Sequence, residues 1–386
     1  MCTTFQMGLS WLHNGTRIKR DHDSRPMILS GLTRRLRELD DAGDQASWPA
    51  EAVAFLRDAG CFAHSIPRRF GGREVSPRER VETYEAVAAG SLTLALILTQ
   101  HDAACELLAD SDYELAPADV LPRCARGDAL LTVGISQLTT AQRSGGPTMK
   151  AARVDDGFTL NGYMPWVTSS PKADYVVTGA VLPYGQEILA CLKTNAPGVT
   201  IAAPMRFAAL NAGLTGRMEC ADAWVDHRCL IRGPVVKALE RRAPVKSLTV
   251  SSVGMGMAHA LLDGLVEHRE SLMEAAELID GTMIPAYESL RSRWLDAADA
   301  LTDREEDVPA IQIRSDVNAL VVRLGPTYLT LAKGSGYLAS HRAQRLCQEA
   351  MFFLVWSAPA SVQLGSLRNL WTGPDIPPRT VRREGR

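Results

Sequence analysis

The stretch Leu160–Val177, LNGYMPWVTSSPKADYVV, holds the residue types best able to do chemistry. Trp166 and Thr168 stand two apart, so in an extended chain both side chains point to one face. A flat ring beside a hydroxyl, on a strand running into the polar Ser169-Ser170-Pro171-Lys172, makes a platform. The ring can cover a planar group, and the hydroxyl can exchange a hydrogen bond with it. The alternative for the pair is the inner face of a hairpin, with packing as its only task. Asn161-Gly162 just before favours a two-residue turn, because both central turn positions need φ > 0. His101, in LTQHDAA, sits on an apolar helical run. It is either a satisfied packing residue or, with a pKa near neutrality, a proton donor to an oxygen in the site. Ser357, in VWSAP, has a hydroxyl that needs a partner base before it can act. His341 reads as a surface or cap residue.

The elements that must position these groups follow from the periodicity. The chain has 386 residues, which suits two or three domains. Apolar residues make up 46% and charged residues 22%, with a net charge of −2, so nothing points to nucleic acid or an anionic membrane surface. The eight cysteines are scattered singly without a C-x-x-C pair. That argues against a metal site or a disulfide framework and fits a reducing cytoplasm. No apolar run approaches the roughly 18–20 residues of a membrane span.

Residues 1–28 are expected to be loosely ordered. Residues 29–128 read as a helical domain, with apolar residues at three-to-four spacing and a helix start at Ser76-Pro77. Period-two alternation takes over in 129–234, in GFTLNGYMPW, DYVVTGAVL, EILACLK and MECADAWVD. This predicts an antiparallel β-domain, sandwich or barrel. From 235 to 371 helical periodicity returns in four or five segments that suggest an up-and-down bundle, one of them ending at Ile279 and the next starting at Met283 with a break at Asp280-Gly281 between, and 372–386 is a frayed, Arg-rich tail. GMGMAH, Gly254 to His259, has no preceding strand and reads as small residues that let helices pack closely, not as a nucleotide loop.

In this order the chain resembles the acyl-CoA dehydrogenase superfamily, from about Leu29 to Trp371. IPRRFGG (66–72) is similar to the family's P-x-x-[FY]-G-G turn, and VGISQL (133–138) to its strand ending in Thr-Glu-Pro. The Leu160–Val177 stretch resembles L-N-G-x-K-x-W-[IV]-[TS]-N-x-x-x-A-D; KGSGY (333–337) resembles the end of Q-x-x-G-G-x-G-Y, and QEAMFF (348–353) the R-D-A segment. The resemblance implies an α+β fold: an N-terminal helical domain, a central antiparallel β-barrel or sandwich and a C-terminal four-helix bundle. It also implies that the platform holds a flavin. The cofactor is expected to be FAD, with FMN or a reduced flavin supplied by a reductase as the alternative. Its site would comprise Ile135, Ser136, Trp166, Val167, Thr168, Gly334 and Gly336, with no metal. Trp166 would pack on the isoalloxazine, Thr168 would lie near N5 and Ser136 on the pyrimidine side. Fixed hydrogen-bonding groups there would tune the ring while the indole excludes water.

The chain departs from the family pattern where desaturation needs a base. Counting from Ala350, the family's glutamate falls on Ser357, and Ala350–Leu364 contains no Asp or Glu. The other family seat, on the first bundle helix, falls near Val245 beside Lys246. The diphosphate-binding pattern is also thinned: HRESLMEAAELIDG keeps Arg269 without the family's Phe-Gly, and Thr330 and Lys333 replace a Gln and a Gly. SQLTTAQRSGG lacks the acid of the family's G-S-D. That combination suits a loosely held or shuttled reduced flavin. The expected function is a flavin-dependent oxidoreductase acting on an acyl thioester or related small molecule without the usual carboxylate, with Ser357 and His101 as candidate catalytic residues. The alternatives are a two-component flavin-dependent monooxygenase of the same fold, served by a flavin reductase, and a redox-inactive cyclase or binding scaffold. A cytoplasmic homodimer or homotetramer is expected.

Overall fold

The computed structural model describes residues 25–139, 148–240, 246–269, 273–303 and 309–372. Five helices come first: α1 (Arg25–Ala42), α2 (Ala50–Asp58), α3 (Pro77–Gly90), α4 (Leu92–Ala109) and α5 (Leu115–Ala125). The first begins inside the segment expected to be loose. Ser76 caps α3 by accepting the Glu79 N–H, with Pro77 at the first helical position. Ser91 does the same for α4 through the Leu94 N–H. By length and composition α4 could cross a membrane, yet 78% of it is buried inside the protein. Its apolar residues face the bundle on one side and the sheet on the other.

The β-domain comprises β1 (Leu131–Gly134), β2 (Met149–Val154), β3 (Gly157–Val167), β4 (Tyr175–Val181), β5 (Glu187–Lys193), β6 (Val199–Ile201), β7 (Gly216–Asp226) and β8 (Leu230–Val235), with a single turn, α6 (Ser136–Thr139), after β1. The order is β6-β7-β3-β2-β4-β5-β8, and β1 pairs with β4 in parallel. Inward side chains of β3 and β7 share one core with those of β4, β5 and β8, among them Phe158, Met164, Val176, Ile188 and Met218. The sheet therefore folds over on itself. The other face of β4 and β5, with Tyr175, Val177, Leu189 and Cys191, packs under α4 and α5. Most strand pairs are antiparallel; the parallel pairing of β1 departs from the all-antiparallel expectation.

Asn161-Gly162 is not a turn. The β2–β3 hairpin turns at Asp155-Asp156, and β3 runs straight through Asn161-Gly162 with a break in register against β7. Gly162 has φ 131°, and a methyl there would lie 2.0 Å from the Thr148 carbonyl oxygen, so the glycine lets the backbone before β2 approach closely; the extra residue of the bulge lies opposite, in β7, where Asp222 has φ 51°. Asn161 instead bridges strands, accepting the Asp222 N–H at 2.9 Å and donating to its carboxylate at 2.8 Å.

The bundle consists of α7 (Lys246–His268), α8 (Met273–Leu278), α9 (Ile284–Asp303), α10 (Ala310–Leu331), α11 (Arg342–Phe352) and α12 (Ala360–Thr372). A break was expected near Asp280-Gly281, but a π-helical turn at Ile279–Met283 joins α8 to α9 in one rod. His341 caps α11 by accepting the Ala343 N–H at 3.1 Å. GMGMAH lies within α7, where a methyl on Gly254 would meet Val317 of α10 at 2.4 Å and one on Gly256 the Glu85 carbonyl oxygen of α3 at 2.2 Å. Glu85 also binds Arg291 bidentately, at 2.7 Å on each oxygen, and accepts from Tyr287, fastening the N-terminal helices to α9. Because α3 and α7 touch backbone to backbone, Gly256→Ala should cost about 2–3 kcal/mol and lower Tm by several degrees. Gly281→Ala, with nothing within 4 Å of the added methyl, serves as the control and should shift Tm little in a thermal melt.

Candidate functional site

The corner where β1 and β3 end gathers five of the residues singled out from sequence: Ile135, Ser136, Trp166, Val167 and Thr168. Two links set the corner. Thr132 Oγ1 donates to the Thr168 carbonyl at 2.7 Å, and a methyl on Gly134 would fall 3.1 Å from Val167 Cγ2. Buried Gln137 then pins the turn of α6, its Nε2 donating to the Gly134 and Gly179 carbonyls and to Thr178 Oγ1 at 2.8–3.0 Å. That amide orients Ile135 and Ser136.

β3 stops at Val167, so Thr168 begins the following turn and is buried where Trp166 is half exposed. Thr168 is 7% exposed and Trp166 53%. The Thr168 hydroxyl lies 3.1 Å from that of Thr215, and either can be the donor. Ser169 follows in the left-handed region at φ 60°, its N–H donating to the Gly213 carbonyl at 2.8 Å. Gly213 lies beside Thr168 and beside Leu96 and Thr93 of α4: a methyl on it would stand in ordinary van der Waals contact with all three, at 3.8–3.9 Å. The Trp166 ring lies 6.1 Å from that of Phe207. An uncovered aromatic wall, a hydroxyl pair able to donate or accept, and an apolar helix beyond it fit the ring of a flavin. Phe207, Gln137 and Gly213 escaped the sequence reading; a Phe-x₃-Asn-x-Gly run is too short a signal to single out.

The two glycines lie elsewhere. The one-turn helix Lys333–Tyr337, which carries Gly334 and Gly336, follows α10 and packs on α10 and α11. Gly336 is buried against Ala332, whereas a methyl on Gly334 would meet nothing within 4 Å. In a single chain this turn belongs to the bundle and not to the Trp166 corner.

Ser357 is exposed and adopts φ 44°. The carbonyl before it, on Trp356, accepts from Arg314 Nη2 at 2.8 Å, and Arg314 Nε donates to Asn318 Oδ1 at 2.9 Å. Burial pushes the Arg314 guanidinium down to about 9. Glu349, the nearest acid in sequence, faces α1 instead: burial and the neighbouring Asp40 push its carboxyl up to about 8, against Arg345 and Arg342. Val245, the other seat, lies outside the described residues, as do 140–147 of SQLTTAQRSGG. Among the described residues no cluster of three His, Cys, Asp or Glu could hold a metal.

His101 is fully buried with both ring nitrogens engaged. Nδ1 accepts the Leu131 N–H at 3.1 Å, so Nε2 carries the proton and donates to the Phe62 carbonyl at 3.1 Å. Burial pushes its pKa down to about 4. The proton-donor reading is therefore corrected: the ring is neutral and ties α4 to β1.

With this geometry in place, the comparisons define the class. No protein-family profile matches the chain. Among solved structures it is similar to glutaryl-CoA dehydrogenase from Mycobacterium smegmatis in complex with FADH2, with TM-score 0.76 and 16% identity, covering 92% of this chain and 96% of that one. The fold is thus that of the acyl-CoA dehydrogenases. Among curated proteins it is similar to the probable acyl-CoA dehydrogenase YngJ of Bacillus subtilis, 20% identical over 84% of this chain and 90% of that protein. It is also similar to isobutylamine N-hydroxylase of Streptomyces viridifaciens, 28% identical over 55% of this chain and 58% of that protein, so this match spans little more than half the hydroxylase. The chain is thus similar to the acyl-CoA dehydrogenase superfamily in fold and, at 20% identity, in sequence over most of its length.

The His101 geometry gives a pH test. Its folded pKa of about 4 lies below the ordinary 6.5, so the folded state binds fewer protons. The stability this ring contributes is present above pH 6.5 and is lost as pH falls towards 4, at up to about 1.4 kcal/mol per pH unit. In urea unfolding at pH 6.5, 5.5 and 4.5, the stability gap between wild type and His101→Gln should shrink with acid. A constant gap would show a ring that titrates freely in the folded protein.

Proposed function

We propose that this chain is a flavin-dependent oxidoreductase working without a carboxylate base, and that it oxygenates a small molecule using reduced flavin from a separate reductase. Support for this reading comes from the half-exposed Trp166 ring, together with the sequence resemblance that puts Ser357 where the family has its glutamate. A serine without a partner base cannot take an α-proton at neutral pH. Neither of the other candidate acid–base groups is free: Glu349 faces α1 and His101 is spent on two backbone groups.

When bound, a flavin supplies two-electron redox chemistry, either hydride acceptance or activation of dioxygen. The chain would do the rest. Trp166 covers one face of the ring, the Thr168–Thr215 hydroxyl pair meets its polar edge, and the Gln137-pinned turn presents Ile135 and Ser136. Leu96 and Thr93 of α4 keep water from the far side. Support for an amine as substrate comes from the N-hydroxylase relative.

Desaturation of an acyl thioester is the second reading, favoured by relatives such as YngJ that match along most of their length. Either FAD or FMN would serve. A homodimer or homotetramer through the bundle is supported by the exposed Ile311, Val355, Leu364, Leu367 and Trp371 around α10 and α12.

Three measurements separate the readings. The flavin titration should show Trp166→Ala weakening binding by roughly tenfold or more, with Ser357→Ala close to wild type. If neither variant alters flavin affinity, the assigned pocket is wrong, and a protein that takes up no flavin would be the redox-inactive scaffold. Oxygen uptake requiring a reductase, NAD(P)H and an aliphatic amine supports oxygenation. Anaerobic bleaching of bound flavin by an acyl-CoA would replace it with desaturation.

A further inference from the structure

The loop between β6 and β7 is built more tightly than a connection requires. Asn211 braces it from inside, its Oδ1 accepting the Phe207 N–H at 2.8 Å and its Nδ2 donating to the Phe207 carbonyl at 3.0 Å. Leu210 and Leu214 both occupy the left-handed region, at φ 64° and 47°, where a leucine backbone is strained. Leu210 repays that strain by inserting its side chain into the core shared with α4 and α7. At the other end Gly213 holds the Ser169 N–H, and Thr215 holds the Thr168 hydroxyl. A loop fixed at four points, with strained residues on both sides of its brace, has one rigid product: it fixes where the Phe207 ring stands.

That ring stands 6.1 Å from Trp166, inclined to it by 41°, and it is 37% exposed. Two half-exposed aromatic rings that are neither stacked nor perpendicular form an open notch. An aromatic pair satisfied with itself would close into an offset stack or an edge-to-face contact. We propose that Phe207 is a further cofactor-binding residue of the site: the notch between Phe207 and Trp166 grips the edge of the flavin's planar ring, and the Asn211-braced loop sets its opening. This rests on the flavin reading given above. The chemistry recognised is a flat aromatic ring, and the proposal assigns it to the flavin and not to an aromatic substrate.

The test titrates flavin-free protein with FMN and FAD, following flavin fluorescence. Phe207→Ala should weaken both by roughly three- to tenfold, equally for the two because the adenylate lies outside the notch. Phe207→Leu should fall between Ala and wild type, since it keeps bulk and loses the ring. The Tm of the flavin-free protein should stay near wild type, because Phe207 is partly exposed and its backbone makes the bonds to Asn211. If Phe207→Ala binds flavin as wild type does while Trp166→Ala is loosened, Phe207 has no part in the site and the flavin reading stands. If neither variant is loosened, that reading itself fails. Indole serves as a ring probe without a flavin: displacement of indole by FMN supports the proposal. Indole binding to flavin-loaded protein, lost in Phe207→Ala, would make the notch a substrate face and overturn it.

Discussion

A strand that ends in a protein interior must hand its last backbone groups to other partners, because a buried carbonyl or N–H left alone costs about 1–3 kcal/mol. The end of β3 meets this constraint, and the candidate site follows from how it does so. The Thr168 carbonyl goes to Thr132, the Ser169 N–H to Gly213, and the Thr168 hydroxyl to Thr215. Those three bonds tie β3 to β1 on one side and to the β6–β7 loop on the other. Trp166, one residue short of the strand end, is then left half uncovered between them.

The same economy governs the charged groups. Glu85 is committed to Arg291 and Tyr287, Asp40 to Arg345, and Asp263 to Arg37, so the acids buried where the N-terminal helices meet the bundle hold helices together. Removing one partner from such a buried pair is costly, on the order of 3–5 kcal/mol, because it strands the other charge. Acids in these positions cannot be redirected towards a substrate without loosening the packing of whole helices. Glu349 illustrates this: it is close to Ser357 in sequence, yet its carboxyl belongs to the α1–α11 contact.

Much of the architecture was legible because it rests on periodicity. The order of helices, strands and helices follows the change from three-to-four spacing to alternation and back, and Ser76-Pro77 and His341 cap helices as their types predict. The errors share one cause. Asn161-Gly162 carries a turn signature, but such a glycine answers equally to a close approach of a neighbouring backbone, and only the partner strand decides between them. The Asp280-Gly281 break was overridden by the helix on either side, which widened into a π turn. Neither outcome is encoded within the few residues that were read.

The site divides along the same line. Trp166 and Thr168 were found through a local motif, but their unequal exposure depends on where β3 ends, which Gly213 and Thr215 fix from some 45 residues away. His101 was ambiguous for a related reason: a lone histidine on an apolar helix can be a proton carrier or a brace. The Phe62 carbonyl and the Leu131 N–H decide this, and both lie on other elements. Phe207 left no sequence trace because its position is set by a loop whose shape depends on a leucine buried in the bundle. Short-range patterns therefore located β3 and its half-exposed indole. Long-range packing determined which of its neighbours could take part in chemistry, and it took the obvious acid–base groups out of contention.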